Sequence, residues 1–329
     1  VTAQRDRRRE MLKRYAQRDE DPEAISAATV PIMFQAPASL APPPAPAKVE
    51  LAGWPFDAAE AGRRQAATGA VERQLDLGGG IKLDMRHIPK GEFLMGDPNE
   101  SPGLARTSIN EGFWIGRCEI SNEQYACFDP NHDSRIERGD FLQFGETERG
   151  YPANTPKQPV VRVSWNAATA FCNWLSTRTG LTCSLPSEAQ WEYACRAGTA
   201  TPLWYGVPAT DFAKFANLAD HSLHVMPTFG WGLPSGAVPP WRPAVDSVND
   251  GFRIAAPVGT YAPNAWGLCD MSGNVWEWTN GDFSPGRKAV RGGSWSERPA
   301  RAGSASRLGY RLWQPVYHVG FRIICKESP

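Results

Sequence analysis

The residues with most chemistry in them lie between Arg291 and Arg322, where the chain runs RGGSW, then a mixed stretch, then GFR. From Ser296 the mixture holds Glu297, Arg298, Arg301, Arg307, Tyr310, Arg311, Trp313, Gln314, Tyr317 and His318. Rigid aromatic rings and forked guanidinium groups dominate binding hot spots, so the stretch reads as a surface that holds a protein or small-molecule ligand. The competing reading puts Trp295, Trp313 and Tyr310 in the core and has the arginines bond loop carbonyls. Trp295 and Phe321 are assigned to the core. Arg298, Arg301, Tyr310, Trp313, Tyr317 and His318 are assigned to the surface.

Metal-ligating types are scattered elsewhere. The five histidines are at 87, 132, 221, 224 and 318, and only His221 and His224 are closely spaced. An HxxH pair without a third ligand is a weak metal signal, so both are read as loop residues. Seven cysteines (Cys118, Cys127, Cys172, Cys183, Cys195, Cys269, Cys325) contain no CxxC pair and read as dispersed buried thiols, with one or two bridges open in an oxidising compartment. Asp129, Asn131, Asp133 and Asp140 have EF-hand-like spacing, but Ser134 stands where that loop needs glycine and Asp140 is short for the final ligand. An Asx-turn in a solvated loop fits them better.

The elements that position these residues follow from pattern. The chain has 329 residues, 41% of them hydrophobic, enough for one large core or two small ones, and its 35 basic and 35 acidic side chains cancel. Phosphate binding needs clustered Lys and Arg, so a nucleic-acid surface is disfavoured. No apolar run reaches the ~18 residues that span a bilayer, and no basic-then-apolar leader opens the chain. A start at Val1 reads as a processed product or part of a longer polypeptide, and no localisation is assigned. Residues 1–50 read as an arm: a charged helix over 1–28, then the Pro/Ala-rich linker of 36–48, able to tether the chain in a larger assembly. Trp54 and Phe56 beside Pro55 read as its anchor. Strands are expected over Ile81–Ile88, Glu92–Gly96 and Phe113–Ile120. Ser164 caps a helix that presents Ala167, Ala170, Phe171, Trp174 and Leu175 and stops at Gly180. Ser187 with Gln190 makes a capping box for a second helix. Two helices in irregular β structure give an α+β domain over residues 51–329.

Several phrases in order carry a family resemblance: GEFLMG at 91–96, EISNEQY at 119–125, PVVRVSWNAATAFCNWL at 159–175, LPSEAQWEYACRAG at 185–198, PNAWGLCDMSGNVWEW at 263–278, RGGSW and GFR. They resemble the formylglycine-generating enzyme or sulfatase-modifying factor family over about 80–326. The family includes oxygen-dependent sulfoxide synthases, a pyoverdine-maturation protein and the variable ligand-binding proteins of diversity-generating retroelements. The resemblance implies an elaborated C-type-lectin-like fold. In the oxidase members two cysteines after RGGS bind copper as thiolates, the soft donors that Cu(I) requires. Here Glu297 holds the first position, Pro299-Ala300-Arg301-Ala302 surround the second, and no cysteine lies between Cys269 and Cys325. Copper is not expected, and neither is formylglycine generation.

The resemblance also implies two calcium sites. The first would use the side chains of Asn217 and Asp250 with the carbonyls of Leu218 and Phe252. The second would use Asp270 and Glu277 with the carbonyls of Gly273 and Val275. Hard cations take such mixed oxygen sets. The expected function is a calcium-stabilised ligand- or protein-binding module displaying 296–318, in the manner of the retroelement variable proteins. An oxidoreductase with a non-copper centre, built from Glu297 with other carboxylates and histidine, is the alternative. A structural domain of a larger assembly is the third.

Overall fold

The computed structural model describes residues 49–99, 103–137, 151–224 and 244–327. The chain divides into two units, Val1–Lys48 and Val49–Pro329. The charged helix and the linker expected over 1–48 lie outside the described residues, as does Asp140.

The second unit begins with α1 (Ala58–Ala66), β1 (Glu72–Gly78), β2 (Ile81–Ile88), β3 (Gly91–Met95), β4 (Ala105–Ile109) and β5 (Phe113–Gly116). Next come α2 (Asn122–Ala126), the short pair β6 (Ile136–Glu137) and β7 (Tyr151–Pro152), α3 (Trp165–Thr179), β8 (Thr182–Ser184) and α4 (Glu188–Arg196). After the one-turn α5 (His221–His224) the chain finishes with β9 (Trp276–Ser284), β10 (Arg287–Arg291), β11 (Arg307–Arg311), β12 (Val319–Gly320) and β13 (Ile324–Lys326).

One sheet has the order β1-β2-β5-β13-β8, so a strand from the far end of the chain closes the gap between β5 and β8. A second sheet, β11-β10-β9-β12, carries the RGGSW and GFR phrases on its ends. Aromatic rings of α2, α3 and the β12–β13 segment fill the space between: Tyr125 stacks on Phe171 at 5.6 Å and Phe321 meets Phe171 edge-on at 5.5 Å.

Local chemistry sets the helix ends. Ser164 Oγ accepts the Ala167 N–H, and Gly180 ends α3 in the left-handed region at φ 72°. Ser187 and Gln190 form the reciprocal box that opens α4. The buried stripe of α3 is Ala168, Phe171, Cys172 and Leu175, one step round from the expected face, and Ala170 is exposed. β5 stops at Gly116, short of the expected Ile120, although the Arg117 N–H still meets the Asp84 carbonyl of β2, and Ser121 then caps α2. Trp54 is buried and meets Phe56 and Phe93 edge-on at 5.4 and 5.8 Å, and Phe56 packs on Trp266. All seven cysteines are thiols, with Cys183 directly opposite Cys325 across the β8–β13 pair. No helix among the described residues is long and apolar enough to cross a membrane.

Candidate functional site

The RGGSW turn is built on crowding. Gly293 sits at φ 81°, and a Cβ there would stand 2.7 Å from the Ala302 Cβ, so only glycine lets the two segments close. Arg291, buried at the end of β10, ties the turn down. It donates to Glu192 and Glu188 on α4 and to the carbonyls of Ser304 and Ala305. In the loop that follows, Glu297 is half-buried, pairs with Arg301 at 3.2 Å, and accepts the Ala219 N–H on its carbonyl at 3.0 Å. Ala302 is fully buried. The sulfur behind this loop is Cys195, whose thiol lies 3.4 Å from Ser304 Oγ and is pushed up to about 11 by burial. A thiol held neutral in that way is a poor ligand for Cu(I).

The display residues do not form one patch. Alternation along β11 puts Arg307 and Tyr310 on opposite faces. Arg307 is spent on Glu188 of α4 and lies over the Phe283 ring at 5.2 Å. Tyr310 faces inward, with its hydroxyl 3.3 Å from His318 Nε2, and burial together with the Glu297 charge pushes its phenol up. Glu297, Arg301, Tyr310, Tyr317 and His318 thus come together, with Tyr317 edge-on to His318 at 4.2 Å and to Trp295 at 6.3 Å. His318 is buried rather than displayed, because the β12 entry folds it beneath Tyr317 and Tyr310. Ser296 is partly covered and bonds Ser294 at 3.0 Å. Arg298, Arg301 and Arg311 are exposed, and Trp313 stands 64% exposed with Arg311 over its ring. Trp295 and Phe321 are core, as expected.

The two oxygen loops, distant in sequence, lie against each other. Asn217 pairs with Gly273 in a parallel bridge, the Asn274 N–H donates to the Asn217 carbonyl at 2.8 Å, and a Cβ on Gly273 would collide with that carbonyl. Asn217 Oδ1 is buried without a hydrogen-bond partner. Asp250 accepts the Leu218 and Phe252 N–H groups, and burial above all lifts its carboxyl to about 7. Asp220, absent from the sequence expectation, accepts the Asp250 N–H at 2.5 Å, and Ser222 Oγ occupies the Phe252 carbonyl at 2.9 Å.

In the second loop Asp270 and Asn274 hold positive φ, 58° and 57°, which folds the DMSGN turn inward. Asp270 Oδ2 accepts the Gly259 N–H at 2.6 Å, while Oδ1 has no partner, and burial pushes the carboxyl to about 6. Glu277 is engaged on both oxygens, by Arg322 Nε and Nη2 at 2.6 Å each and by Trp191 Nε1 at 2.7 Å. Glu119, which the sequence pattern did not single out, is buried beside them with neither carboxylate oxygen bonded. Burial first, then the charges of Asp270 and Glu277, holds its carboxyl well above the usual range. Three buried acids therefore face one guanidinium, and orphaned oxygens of this kind are the donor chemistry that a hard divalent cation takes. Of the expected calcium ligands, Asn217 Oδ1 and Asp270 Oδ1 are open, whereas Glu277, Asp250 and the Phe252 carbonyl are already hydrogen-bonded within the protein. Among the described residues no group of three His, Cys, Asp or Glu forms a metal cluster.

The remaining motifs are structural. Asp129 Oδ1 accepts the Asn131 N–H at 3.1 Å, an Asx-turn. His132 Nε2 lies 2.9 Å from the Val161 carbonyl, and His221 is exposed on α5.

Residues 82–327 match the sulfatase-modifying factor enzyme 1-like domain, and the chain belongs to that family. It is 35% identical over 249 residues to a formylglycine-generating enzyme of Streptomyces coelicolor, covering 60% of this chain and 68% of that one. Against the bovine and mouse formylglycine-generating enzymes the match spans 27% and 56% of their lengths, less than two thirds of either. It is 27% identical over 307 residues to the mouse protein named inactive C-alpha-formylglycine-generating enzyme 2, covering 78% of this chain and 89% of that one. Among solved structures, Treponema denticola variable protein 1 superposes with a TM-score of 0.57 at 20% identity over 78% of this chain and 99% of its own. The α+β architecture is accordingly the formylglycine-generating-enzyme-like, C-type-lectin-like fold.

Proposed function

We propose that this domain is a non-catalytic member of its family, a calcium-stabilised module that binds a protein or small-molecule ligand through the exposed part of 296–318. One observation carries it: the loop after RGGSW holds the Glu297–Arg301 ion pair and a sealed Ala302, with no sulfur on either. Cuprous ion needs soft thiolates, and a carboxylate paired with a guanidinium offers none. The inactive mouse relative supports the same reading, and the fold it shares with a variable protein supports display by a rigid frame. Asp270, Glu277 and the carbonyls of Gly273 and Val275, with Asn217 and Asp250 and the carbonyls of Leu218 and Phe252 alongside, would hold calcium. The ion supplies positive charge there and fastens the two loops to each other.

Metal analysis of the purified protein is expected to find calcium and no stoichiometric copper or iron. Incubation with a cysteine-containing sulfatase peptide is expected to yield no formylglycine. A tightly held copper ion or multiple turnovers would overturn the reading. A template repeat and a reverse-transcriptase gene beside the coding region would assign the domain to the retroelement type.

A further inference from the structure

Cys183 and Cys325 are register partners across the antiparallel β8–β13 pair, and the backbone hydrogen bonds around them show which kind of partner. The Cys183 N–H donates to Ser176 Oγ at 2.9 Å and the Cys183 carbonyl accepts from the same hydroxyl at 3.3 Å, so both groups turn away from β13 towards α3. Just before β13 the Ile323 carbonyl accepts the Gly116 N–H at 2.9 Å, and Cys325, two residues on and opposite Trp114, turns its groups to β5 in the same way. The two cysteines are therefore a non-hydrogen-bonded pair. In such pairs the Cα atoms stand about 4.5 Å apart with the side chains on one face, inside the range of roughly 4.4–6.8 Å that a disulfide spans. Both belong to one apolar cluster, Cys325 sealed and Cys183 5% exposed on the edge strand of the large sheet. The electrostatics agree with the register: Cys325 as donor holds the Cys183 thiol below its usual range and is itself pushed up, which makes Cys183 the better nucleophile.

We infer that Cys183 and Cys325 are a thiol-oxidation site, closing as a disulfide that pins the C-terminal strand β13 to β8. The oxidant is a small-molecule disulfide such as oxidised glutathione. The Cys183 thiolate attacks one of its sulfurs and expels a thiolate, leaving a mixed disulfide on Cys183. The Cys325 sulfur, losing its proton, then attacks Cys183 Sγ and expels the second small thiol. Two protein thiols are oxidised, one small disulfide is reduced to two thiols, and the two protons end on those thiols. β13 is only three residues long, and a cross-link restricts the unfolded chain more as its loop lengthens, so a bridge from 183 to 325 fastens a short strand with a long loop. Cys172 on α3 is the competing partner, since it lies in the same cluster and its carbonyl accepts Ser176 Oγ at 2.9 Å, but as a helical residue it has no strand register facing either sulfur.

The test is refolding of the reduced full chain in a buffer of reduced and oxidised glutathione, followed by alkylation, peptide mapping without reduction, and thermal melts. Wild type is expected to yield a Cys183–Cys325 linked peptide and a Tm at least about 5 °C above that of the reduced protein, with dithiothreitol abolishing both. Cys172→Ala is expected to keep the linked peptide and the rise. Cys325→Ala is expected to lose both and to trap glutathione on Cys183. If every cysteine of the wild type is alkylated, if the bridge joins Cys172 or any other pair, or if the linked protein melts no higher than the reduced one, the inference is overturned. Should Cys325→Ala not fold, the wild-type map decides alone, because it needs no variant.

Discussion

Two buried ionic clusters meet α4 at neighbouring residues, one through Glu192 and the other through Trp191, and they are built to different rules. In the first, Glu192 on α4 is bonded on both oxygens, by Arg196 Nε at 2.9 Å and the Gly96 N–H on one and by Arg291 on the other. Arg196 and Arg291 also donate to the carbonyls of Gly96, Thr201, Ser304 and Ala305, while Arg291 Nε is buried without a partner. In the second, Arg322 satisfies Glu277 and leaves Glu119 and Asp270 with open oxygens. Buried charge is tolerable when paired and hydrogen-bonded; in the first cluster both Glu192 oxygens are bonded and the one orphan is the donor Arg291 Nε, whereas in the second the orphans are the acidic oxygens of Glu119 and Asp270. The difference is between an acid met on every oxygen and acids left with open ones, although both clusters use the same residue types at the same depth.

Removal of each arginine tests that distinction. Arg322→Met strips the second cluster of its guanidinium and is expected to cost about 3–5 kcal/mol in chemical denaturation, with partial recovery in saturating calcium. A loss below about 1 kcal/mol would mean that the cluster is uncharged in the folded protein. Arg291→Met leaves Glu192 its Arg196 partner, so a cost of about 3 kcal/mol is expected, with no response to calcium beyond that of wild type. Chelation of the wild type is expected to lower stability by about 2.7 kcal/mol per site, relative to calcium at a hundredfold its dissociation constant, read as a lower Tm. An unchanged melt would mean that neither cluster holds an ion. Trp313→Ala, on the displayed edge, is expected to change stability by no more than about 0.5 kcal/mol while weakening any ligand captured there. A larger loss would make Trp313 a packing residue.

The sequence was readable where the physics is local. Ser164, Gly180, Ser187 and Gln190 act on backbone groups within four residues of themselves, so their roles survive any tertiary setting. The α3 face was displaced by one position because burial there depends on what packs around the helix, which places Cys172 inward and Ala170 outward. His318 looked like a surface residue among arginines, yet its burial comes from Tyr310 and Tyr317 folding over it. The loop positions of Asp250, Asp270 and Glu277 were legible through the family resemblance. Glu119 was not, since an acid in CEIS, between a strand and a helix cap, carries no spacing signal, and only the return of Phe321 and Arg322 reveals how deeply it is enclosed.

The insertion of β13 between β5 and β8 also governs how the molecule can be made. Half of the large sheet, β1-β2-β5, leaves the ribosome long before its other half can join it, and an apolar flank at Phe113 and Ile115 waits through the synthesis of some two hundred further residues. Long-range closure of this kind is slow and exposes strand edges meanwhile. A nascent chain stalled before Ile324 would therefore be a client for chaperones, and a premature stop there a route to aggregation rather than to a shortened working protein.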